Sequence, residues 1–520
     1  MPHGLLKVAT YLKNNGYETK LIDCLLPDEN GSLKKKHREM VRVGTKERWV
    51  PKSWGGRLEP GVKVSYCFGK GIEELEHDFR GDLFSQAEDL WTPDEIWITS
   101  IMSYWWQSTR DVVQLCKRYF REATIRVGGI YPTLAPDHAK IHLGLHDPLV
   151  LDGSQLKLED ETMMSRDLIV TGEIPDANDL ELAHDLYREQ GQRSPKYTIL
   201  TTSRGCPRDC EYCAAYVLSG RKVRSRDVDS VMAEIKSKYA QGVRDFCFYE
   251  DNLLMARKNF KEILTLIRDD DDLKGIELHS PEGLEIRLID LELAKLMKQA
   301  GFRRVYLPLE SINYQFISRF ERDFYTLKDF ENAVRVFEEA GFTKPQDINV
   351  FVLFGLPGED LQAVYDTAIY AANRTGSVIP MLFAPVPGTP LFKKLKDYID
   401  EMGFDLHDLN GKLLPFLEYN RKAMKAKYAL EIQDYYDVEA FMFRLNEKVR
   451  NRTFRPGAST PVSSAFRKVF ASYNSVYEGQ DRKLYAPDAL ALSSIEDSIT
   501  EFHGTGKSLI VLQEGSAQLL

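Results

Sequence analysis

Short apolar runs alternate with amphipathic stretches from residue 197 onward, and this alternation limits the folds open to the chain. Six such runs cover residues 197–200, 245–249, 275–279, 301–311, 348–354 and 378–387, with helical patterns between them at 227–239, 290–300 and 327–340. Strands that alternate with helices every roughly thirty to forty residues are typical of parallel βα units. The sequence therefore predicts a partial (β/α)6 barrel with its functional side chains at the carboxyl ends of the strands.

Three cysteines follow the first of these strands in a C-x3-C-x2-C run. Cys206, Cys210 and Cys213 lie close together on a loop with Gly205 and Pro207, where their thiolates can ligate three irons of a cubane cluster. Iron–sulfur clusters are normally held by four cysteines, so this loop leaves one iron open to another ligand. A zinc site or a partial disulfide is the alternative interpretation. Zinc usually takes four ligands in paired knuckles, and no fourth ligand follows at that spacing.

The run, with the aromatic Tyr212 before its last cysteine, resembles the signature of the radical S-adenosylmethionine (AdoMet) superfamily. The resemblance implies that Cys206, Cys210 and Cys213 bind a [4Fe-4S] cluster whose open iron chelates AdoMet. It also implies that one electron, from a donor such as flavodoxin or ferredoxin, cleaves AdoMet to methionine and a 5′-deoxyadenosyl radical. The substrate expected on this basis is a small molecule or a peptide.

Residues at the ends of the later strands match AdoMet-binding positions of that superfamily. The resemblance assigns Glu250 and Asp251 to the AdoMet amino group, Glu310 and Ser311 to its ribose or carboxylate, and the loop from Gly355 to Glu359 to its adenine. Arg287 can form a two-pronged pair with the AdoMet carboxylate, and a solvated arginine is the alternative there. An ordinary loop charge or turn is the alternative for each residue taken singly, but their order behind the cysteine run favours the functional interpretation.

The first part of the chain also reads as alternating helices and strands. Helical patterns cover residues 4–14 and 108–120, and strand patterns cover 18–25, 94–100 and 124–128. Such a series predicts a doubly wound, Rossmann-like parallel sheet that binds ligands outside the carboxyl ends of its strands. Residues 27–90 are expected to be irregular, and the basic run at 34–38 is expected to be a solvated loop face.

Three motifs of this part resemble the cobalamin-binding domain that precedes many radical AdoMet domains. They are Pro2-His-Gly-Leu-Leu, Ser103-Tyr-Trp, and Gly128-Gly-x-Tyr-x-Thr-Leu-x-Pro. The resemblance implies a cobalamin site that includes Ser100, Ser103, Tyr104, Gly128, Gly129 and Thr133. The chain departs from this family in two ways. It lacks the D-x-H-x-x-G run that supplies a histidine to cobalt, since Asp137 and His138 are adjacent, and it lacks the first strand before the Pro-x-Gly-Leu-Leu helix. We expect either that this strand lies upstream of the sequence given or that the domain has lost its cofactor.

The bulk composition excludes several classes of protein. The 520 residues carry a net charge of −9 and include seven cysteines, so neither nucleic-acid binding nor a disulfide framework is indicated. No apolar run has the length of a membrane span, and no signal-peptide pattern opens the chain. We expect a cytoplasmic protein without membrane or nucleic-acid partners. Cys24, Cys67 and Cys116 are dispersed, which disfavours a methylthiotransferase with a second cluster, and Cys247 reads as a core residue.

The predicted layout has four parts. Residues 1–173 form the cobalamin-binding-like domain, 174–196 a polar linker, 197–397 the partial barrel and 398–520 a mostly helical region that includes a helix at 428–449. The sequence Gly504-Thr-Gly-Lys-Ser is not a phosphate-binding loop, because the G-x4-G-K-[ST] pattern would need glycine where Glu501 stands.

Taken together, the sequence predicts a radical AdoMet enzyme that methylates an unactivated carbon with the help of cobalamin. One alternative is a radical AdoMet enzyme without functional cobalamin that catalyses rearrangement, cyclisation or oxidation. A second alternative is a non-catalytic metal-cluster protein. The sequence does not identify the substrate.

Overall fold

A computed structural model describes residues 2–24, 35–42, 62–68, 70–80, 85–86, 89–90, 92–152, 167–173, 180–189, 196–322, 324–344, 346–375, 377–411, 416, 419–420, 438–439, 441–443 and 445–446. Within these ranges the chain is an α/β protein. None of the described helices is both long and apolar enough to cross a bilayer.

A four-stranded parallel sheet forms the centre of the N-terminal part. Its order is β5–β6–β8–β7. The strands are β5 (Glu95–Thr99), β6 (Thr124–Gly128), β7 (His146–Asp152) and β8 (Leu168–Glu173), and the helices of this part are α1 (His3–Asn14), α2 (Ile72–Arg80), α3 (Trp106–Tyr119), α4 (Ile130–Leu134) and α5 (Pro136–Leu143). Ile125, Arg126 and Val127 are consecutive buried residues of β6. The two strands predicted here at 94–100 and 124–128 are therefore confirmed.

Six parallel strands follow in chain order and form a second array. They are β9 (Tyr197–Leu200), β12 (Asp245–Phe248), β13 (Glu277–His279), β14 (Val305–Glu310), β15 (Ile348–Phe354) and β16 (Val378–Leu382). They pair as two three-stranded sheets, which a parallel bridge between Leu278 and Phe302 joins. All six predicted strands are present, although the last ends at Leu382 and not at residue 387.

Helices cover the outside of this array and supply most of the core. They are Ala215–Ser219, Val228–Ala240, Arg257–Asp269, Leu291–Ala300, Tyr314–Ile317, Leu327–Glu339 and Leu361–Thr375, followed by Pro390–Lys394 and Lys396–Glu401. Helix Leu327–Glu339 begins at a capping box in which Thr326 and Asp329 satisfy each other's backbone N–H groups. Phe248, Phe260 and Phe302 are fully buried between strands and helices.

A second core joins the N-terminal sheet to the six-strand array. It contains Trp106 and Tyr131 from the N-terminal part together with Phe320, Phe383 and Leu391 from the array. The two parts therefore bury apolar side chains against each other.

The predicted strand at 18–25 is wrong, since residues 17–23 form no strand. Leu21 instead packs with Leu182 and Leu186, and the buried Asp23 accepts a hydrogen bond of 2.6 Å from the Tyr187 hydroxyl. The side chains of this segment thus pack and hydrogen-bond with helix Asp185–Glu189 and the residues before it, and not with a neighbouring strand. The same contacts show that the predicted polar linker includes a packed helix.

The irregular structure predicted for residues 27–90 is also wrong in part. Residues 35–38 of the basic run belong to β1 (Lys35–Arg42), which pairs antiparallel with β2 (Val62–Phe68), and Lys34 lies outside the described residues. Two-residue strands β3 (Ser85–Gln86) and β4 (Asp89–Leu90) pair with each other. Charged residues have a low strand propensity, so the sequence of β1 alone does not indicate a strand.

Helix α2 was missed because it has a narrow apolar face, with Leu75 buried and Phe79 stacked edge-on against Phe120. The predicted helix at 428–449 lies largely outside the described residues. Within it, Val438, Phe441 and Met442 are helical and buried in the core of the six-strand array. The Gly504 segment lies outside the described residues.

Candidate functional site

The cysteine loop leaves the carboxyl end of β9 and is closed at its base. Strand β10 (Ser203–Arg204) pairs antiparallel with β11 (Arg224–Ser225), and the Cys206 N–H donates to the Gly220 carbonyl at 3.0 Å. Cys206 and Cys210 are 7% and 5% exposed, and Cys213 is partly exposed. The loop therefore presents three thiols from one closed segment at the strand-end edge of the array.

Only glycine fits at position 205. Its φ is +100°, and a Cβ atom would lie 2.3 Å from the Lys222 carbonyl oxygen. Its N–H donates to Asp251 Oδ2 at 2.7 Å. The predicted AdoMet contact Asp251 thus fixes the backbone next to Cys206.

Glu250 uses both carboxylate oxygens to hold the start of the loop. Oε1 accepts from the N–H and the hydroxyl of Thr202 at 2.5 and 3.1 Å, and Oε2 accepts from the N–H and the hydroxyl of Ser203, both at 2.9 Å. Burial raises the pKa of Glu250, and these four donors oppose that rise. Glu250 was predicted to meet the AdoMet amino group, but in this geometry it positions the cysteine loop.

Each cysteine sulfur faces one hydrogen-bond donor. Asn252 Nδ2 lies 3.9 Å from Cys206 Sγ, Arg322 Nη1 lies 3.5 Å from Cys210 Sγ, and the Ala215 N–H lies 3.5 Å from Cys213 Sγ. Burial raises the pKa of Cys210, and it raises the pKa of Cys213 to about 12. Donors aimed at sulfur favour thiolates, and a bound metal deprotonates coordinating thiols. The set therefore suits thiolates that are neutralised by metal.

Buried polar atoms without partners surround this loop. Asn252 Oδ1, Tyr212 Oη, Glu285 Oε1 and Arg322 Nε make no hydrogen bond. Native proteins leave few such atoms unpaired, and each calls for an explanation such as a missing ligand. These four atoms and the three thiols are the chemistry that an iron–sulfur cluster with a polar ligand would need.

Arg322 is a residue beside the cysteine loop that sequence reasoning missed. It pairs with Glu310 at 3.1 Å while it faces Cys210, and its guanidinium lies 4.6 Å from the centre of the Phe324 ring. Glu310 is buried at the end of β14 with a φ of +59°, a left-handed conformation that is costly for a residue other than glycine. Burial raises the pKa of Glu310 against the opposing charge of Arg322. The only sequence signal for Arg322 was an arginine in the loop that follows Glu310.

A second arginine lies near the same ring. Arg208, inside the cysteine loop, lies 4.3 Å from the centre of the Phe324 ring and pairs with buried Glu285 at 3.2 Å. Arg287, the predicted carboxylate partner, is exposed and donates to the Phe324 carbonyl at 3.1 Å. Arg322 thus contacts a cysteine and Arg208 belongs to the cysteine loop, whereas the contact described for Arg287 is with Phe324.

The glycine loop after β15 is held by its own glutamate. Glu359 Oε2 accepts from the Gly355 N–H at 2.6 Å, and burial raises the pKa of Glu359 well above its usual range. Gly355 has a φ of +86°, and a Cβ there would lie 2.8 Å from a Leu382 methyl group. Ser311 accepts from the Asn313 N–H at 3.1 Å. The side chains of Glu359 and Ser311 thus accept hydrogen bonds from the backbone of the loops to which they belong.

The predicted cobalamin residues lie together at the carboxyl ends of β5 and β6. Ser100 is buried and accepts from the Thr109 hydroxyl at 2.8 Å, while the Thr133 hydroxyl donates to the Gly129 carbonyl at 2.8 Å. Gly129 has a φ of +101°, and a Cβ would lie 2.4 Å from the Ser100 carbonyl oxygen. Two of the predicted hydroxyls are therefore bonded within the protein.

The remaining residues of this edge are Gly128, Ser103 and Tyr104. A Cβ on Gly128 would make only ordinary contacts, with the Val170 carbonyl oxygen nearest at 3.5 Å. Ser103 is buried, and the Tyr104 carbonyl contacts His407 Nδ1 at 2.9 Å. The protein therefore tolerates a Cβ at Gly128.

The two strand-end edges meet. The position of a Cβ on Gly388, in the turn after β16, lies 3.4 Å from a Val217 methyl group and 3.7 Å from the Leu134 carbonyl oxygen. Val217 belongs to the helix that follows Cys213, and Leu134 ends α4, which follows Gly129. The helices that follow the cysteine loop and the N-terminal glycines are therefore neighbours.

Residues 200–371, which include the cysteine loop and β12 to β15, match the family model described as the Radical SAM superfamily. SAM here is S-adenosylmethionine, abbreviated AdoMet above. This chain contains a radical SAM domain. Radical SAM enzymes use a [4Fe-4S] cluster and AdoMet. The predictions of a radical AdoMet enzyme and of its cluster are thereby confirmed at the level of the family.

Two curated relatives of this radical SAM protein are methyltransferases. It is 22% identical over 343 residues to bacteriochlorophyllide d C-12(1)-methyltransferase of Chlorobaculum tepidum. The match covers 63% of this chain and 72% of the relative. It is 25% identical over 214 residues to an uncharacterized methyltransferase of Pyrococcus horikoshii. This match covers 41% of this chain and 44% of the relative. The chain thus spans less than half of the second relative.

Among solved structures, the radical SAM methyltransferase TsrM of Kitasatospora setae, determined with tryptophan and a SAM analogue, is similar. The identity is 19%, the match covers 63% of this chain and 67% of that chain, and the TM-score is 0.49.

Proposed function

We propose that this radical SAM protein is a cobalamin-dependent methyltransferase that acts on an unactivated carbon. The observation that carries the proposal is the meeting of two strand-end edges, since Leu134 and Val217 flank the same turn at Gly388. A cofactor on the N-terminal edge would lie beside the cysteine loop, as a methyl donor to a substrate radical must. The two curated methyltransferase relatives support the same function.

In this proposal Cys206, Cys210 and Cys213 hold the cluster, and Glu250 and Asp251 fix the loop that carries them. Arg322, paired with Glu310 beside Cys210, offers a positive charge to a carboxylate bound at the open iron. When bound, the cluster and AdoMet supply a carbon-centred radical and cobalamin supplies a methyl group. The protein supplies position and excludes water from the site.

The proposed layout assigns residues 1–173 to a cobalamin-binding-like domain, 197–397 to the partial (β/α)6 barrel and 398–520 to a C-terminal region. The short helix Asp185–Glu189 within 174–196 packs against α1 through Leu186 and Leu6. In this layout residues 174–196 connect the two domains and also pack against α1 of the first one. A small-molecule or peptide substrate and an electron donor such as flavodoxin or ferredoxin complete the proposal.

A second candidate is a radical SAM enzyme that works without cobalamin. Two observations favour it: residues 17–23 form no strand, and the hydroxyls of Ser100 and Thr133 already have partners within the protein. Such an enzyme would use the substrate radical for rearrangement, cyclisation or oxidation. The two candidates differ in whether corrin is retained.

The deciding experiment is anaerobic reconstitution with iron, sulfide and hydroxocobalamin, followed by desalting, metal analysis and an absorption spectrum. The methyltransferase proposal expects about four irons and retained corrin. Four irons without corrin would overturn the cobalamin part of the proposal and favour the second candidate.

The test variant for corrin binding is Gly128→Ala, and its control is Gly4→Ala. The protein itself tolerates a Cβ there, because the nearest atom lies at 3.5 Å. If corrin lies against this backbone, Gly128→Ala loses corrin and keeps its iron. Gly4→Ala, where a Cβ meets nothing within 4 Å, keeps both. Equal retention of corrin by Gly128→Ala and the wild type would place corrin elsewhere.

A further inference from the structure

A group of metal-binding side chains lies outside the cysteine site, where α5 of the N-terminal part meets the turn that follows the six-strand array. His138 and His142 lie one helical turn apart on α5, and Asp405 comes before the turn Leu406–Leu409. One ligand atom of each lies within 4.8 Å of the others. Two histidines four residues apart on a helix are a common pair of zinc ligands.

The distances are close to those around a shared ion. His138 Nε2 lies 2.8 Å from Asp405 Oδ1, which is a hydrogen bond, and two ligands each about 2.1 Å from a tetrahedral ion lie about 3.4 Å apart. The two atoms would therefore separate by roughly 0.6 Å to admit the ion. The His138 and His142 rings are stacked, with centres 4.0 Å apart and planes inclined by 20°. Both imidazoles therefore present their edges on one side of the helix.

Two further side chains orient these ligands. The Tyr131 hydroxyl contacts His138 Nδ1 at 2.8 Å, and Trp106 Nε1 donates to Asp405 Oδ2 at 2.9 Å. Each occupies the atom that faces away from the shared space and leaves Nε2 of His138 and Oδ1 of Asp405 facing each other. Such partners fix the tautomer and direction of metal ligands.

The group is also open to entry from solvent. His142 is exposed, and the side chains of His138 and Asp405 are 19% and 38% exposed. The cation nearest to its aromatic wall is Arg110, which lies over the Trp106 ring at 5.3 Å. An ion can therefore reach the three ligands while their buried partners hold them.

We propose that His138, His142 and Asp405 bind a divalent transition-metal ion of the zinc class, with water in the remaining positions. Imidazole ligands suit zinc, nickel and copper better than magnesium or calcium. The ion would clamp α5 of the N-terminal sheet to the turn after the array, and this role does not depend on the proposed methylation. A second group, Asp245, Glu277 and His279, is a weaker candidate because Arg303 pairs with Glu277.

The test uses the full chain with its cluster loaded, because cluster-free cysteines would also take zinc. Loosely held metal is removed on a chelating resin, and zinc binding is measured by anaerobic equilibrium dialysis with zinc and iron counted together. We expect one zinc per chain above the iron. His142→Ala and Asp405→Asn should weaken zinc binding by at least roughly 100-fold, since outer-shell changes alone cost about 10–100-fold.

Two further variants make the result specific. His146→Ala removes an exposed histidine at the start of β7 and should leave zinc binding unchanged. Trp106→Phe removes the donor to Asp405 together with part of a buried ring and should weaken binding by about 10–100-fold. If the wild type retains no more zinc than His142→Ala, or if both ligand variants bind zinc as tightly as the wild type, the three residues form only a hydrogen-bonded contact and the proposal is wrong.

Discussion

Replacing Glu250 with glutamine tests whether this residue positions the cysteine loop. Its two oxygens accept four hydrogen bonds, two from Thr202 and two from Ser203, and the side chain is 5% exposed. A glutamine keeps the shape but replaces one oxygen with an NH2 donor. One buried backbone N–H would then face a donor, and one hydroxyl would have to rotate in order to accept.

The size of the effect follows from these contacts. Hydrogen bonds to a charged group contribute about 1.5–3 kcal/mol each, and Glu250→Gln weakens two of them. The rotated hydroxyl recovers part of the loss, so the variant should lose roughly 2–4 kcal/mol of unfolding free energy. Because the loop that carries Cys206 starts at these donors, iron loading should fall as well.

The measurement is urea denaturation of the cluster-loaded protein together with its iron content. Glu262→Gln, an exposed glutamate on helix Arg257–Asp269, is the matched control and should change neither quantity. If Glu250→Gln keeps the wild-type stability and iron but binds AdoMet less tightly, Glu250 is a direct AdoMet contact and our positioning argument is refuted.

Three other predictions concern the loop, its arginine and a buried histidine. Gly205→Ala should abolish iron loading, because its Cβ would lie 2.3 Å from the Lys222 carbonyl oxygen; iron analysis after reconstitution checks this, and normal loading would contradict it. Arg322→Gln should keep most of its iron but bind AdoMet at least about tenfold more weakly, since a charge-assisted contact to a carboxylate is lost; equilibrium dialysis with labelled AdoMet measures this, and unchanged affinity argues against the role. Burial, assisted by Lys238, lowers the pKa of His184 to about 3, whereas the unfolded chain takes up this proton near pH 6.5. The free energy of unfolding therefore falls as the pH drops below 6.5, and this group accounts for a loss of about 2 kcal/mol at pH 5. Denaturation curves at pH 7 and pH 5 should show a smaller loss for His184→Phe than for the wild type. Equal losses would contradict the lowered pKa of His184.

The sequence was sufficient for the strands because they are short apolar runs, and in β6 and β15 most of the run is buried. The run Ile348–Phe354 has the predicted bounds, and so does Thr124–Gly128. The segment at 18–25 has a similar composition, but its Leu21 and Asp23 find partners in residues 182–187. Such distant contacts decide between a strand and an extended segment, and no local pattern contains them.

The site was predictable in its residue types but not in its contacts. Cysteine spacing indicates a shared ligand directly. Glu250 and Glu359 were selected as cofactor contacts, and the structure adds that both accept hydrogen bonds from the backbone of nearby loops. Arg322 was missed because its position depends on a turn after β14 that brings it back to Cys210. The roles of these residues toward AdoMet stay predictions.

The most direct test of the central claim is the formation of 5′-deoxyadenosine from AdoMet by the reconstituted, chemically reduced protein. The wild type should cleave AdoMet in proportion to its cluster content, while Cys213→Ser should form none, because the cluster would lose one of its three protein ligands. Cys247→Ser is the control, since this cysteine is buried in β12 and is not part of the loop. A fully loaded wild type that forms no 5′-deoxyadenosine, or equal formation by Cys213→Ser, would contradict the account.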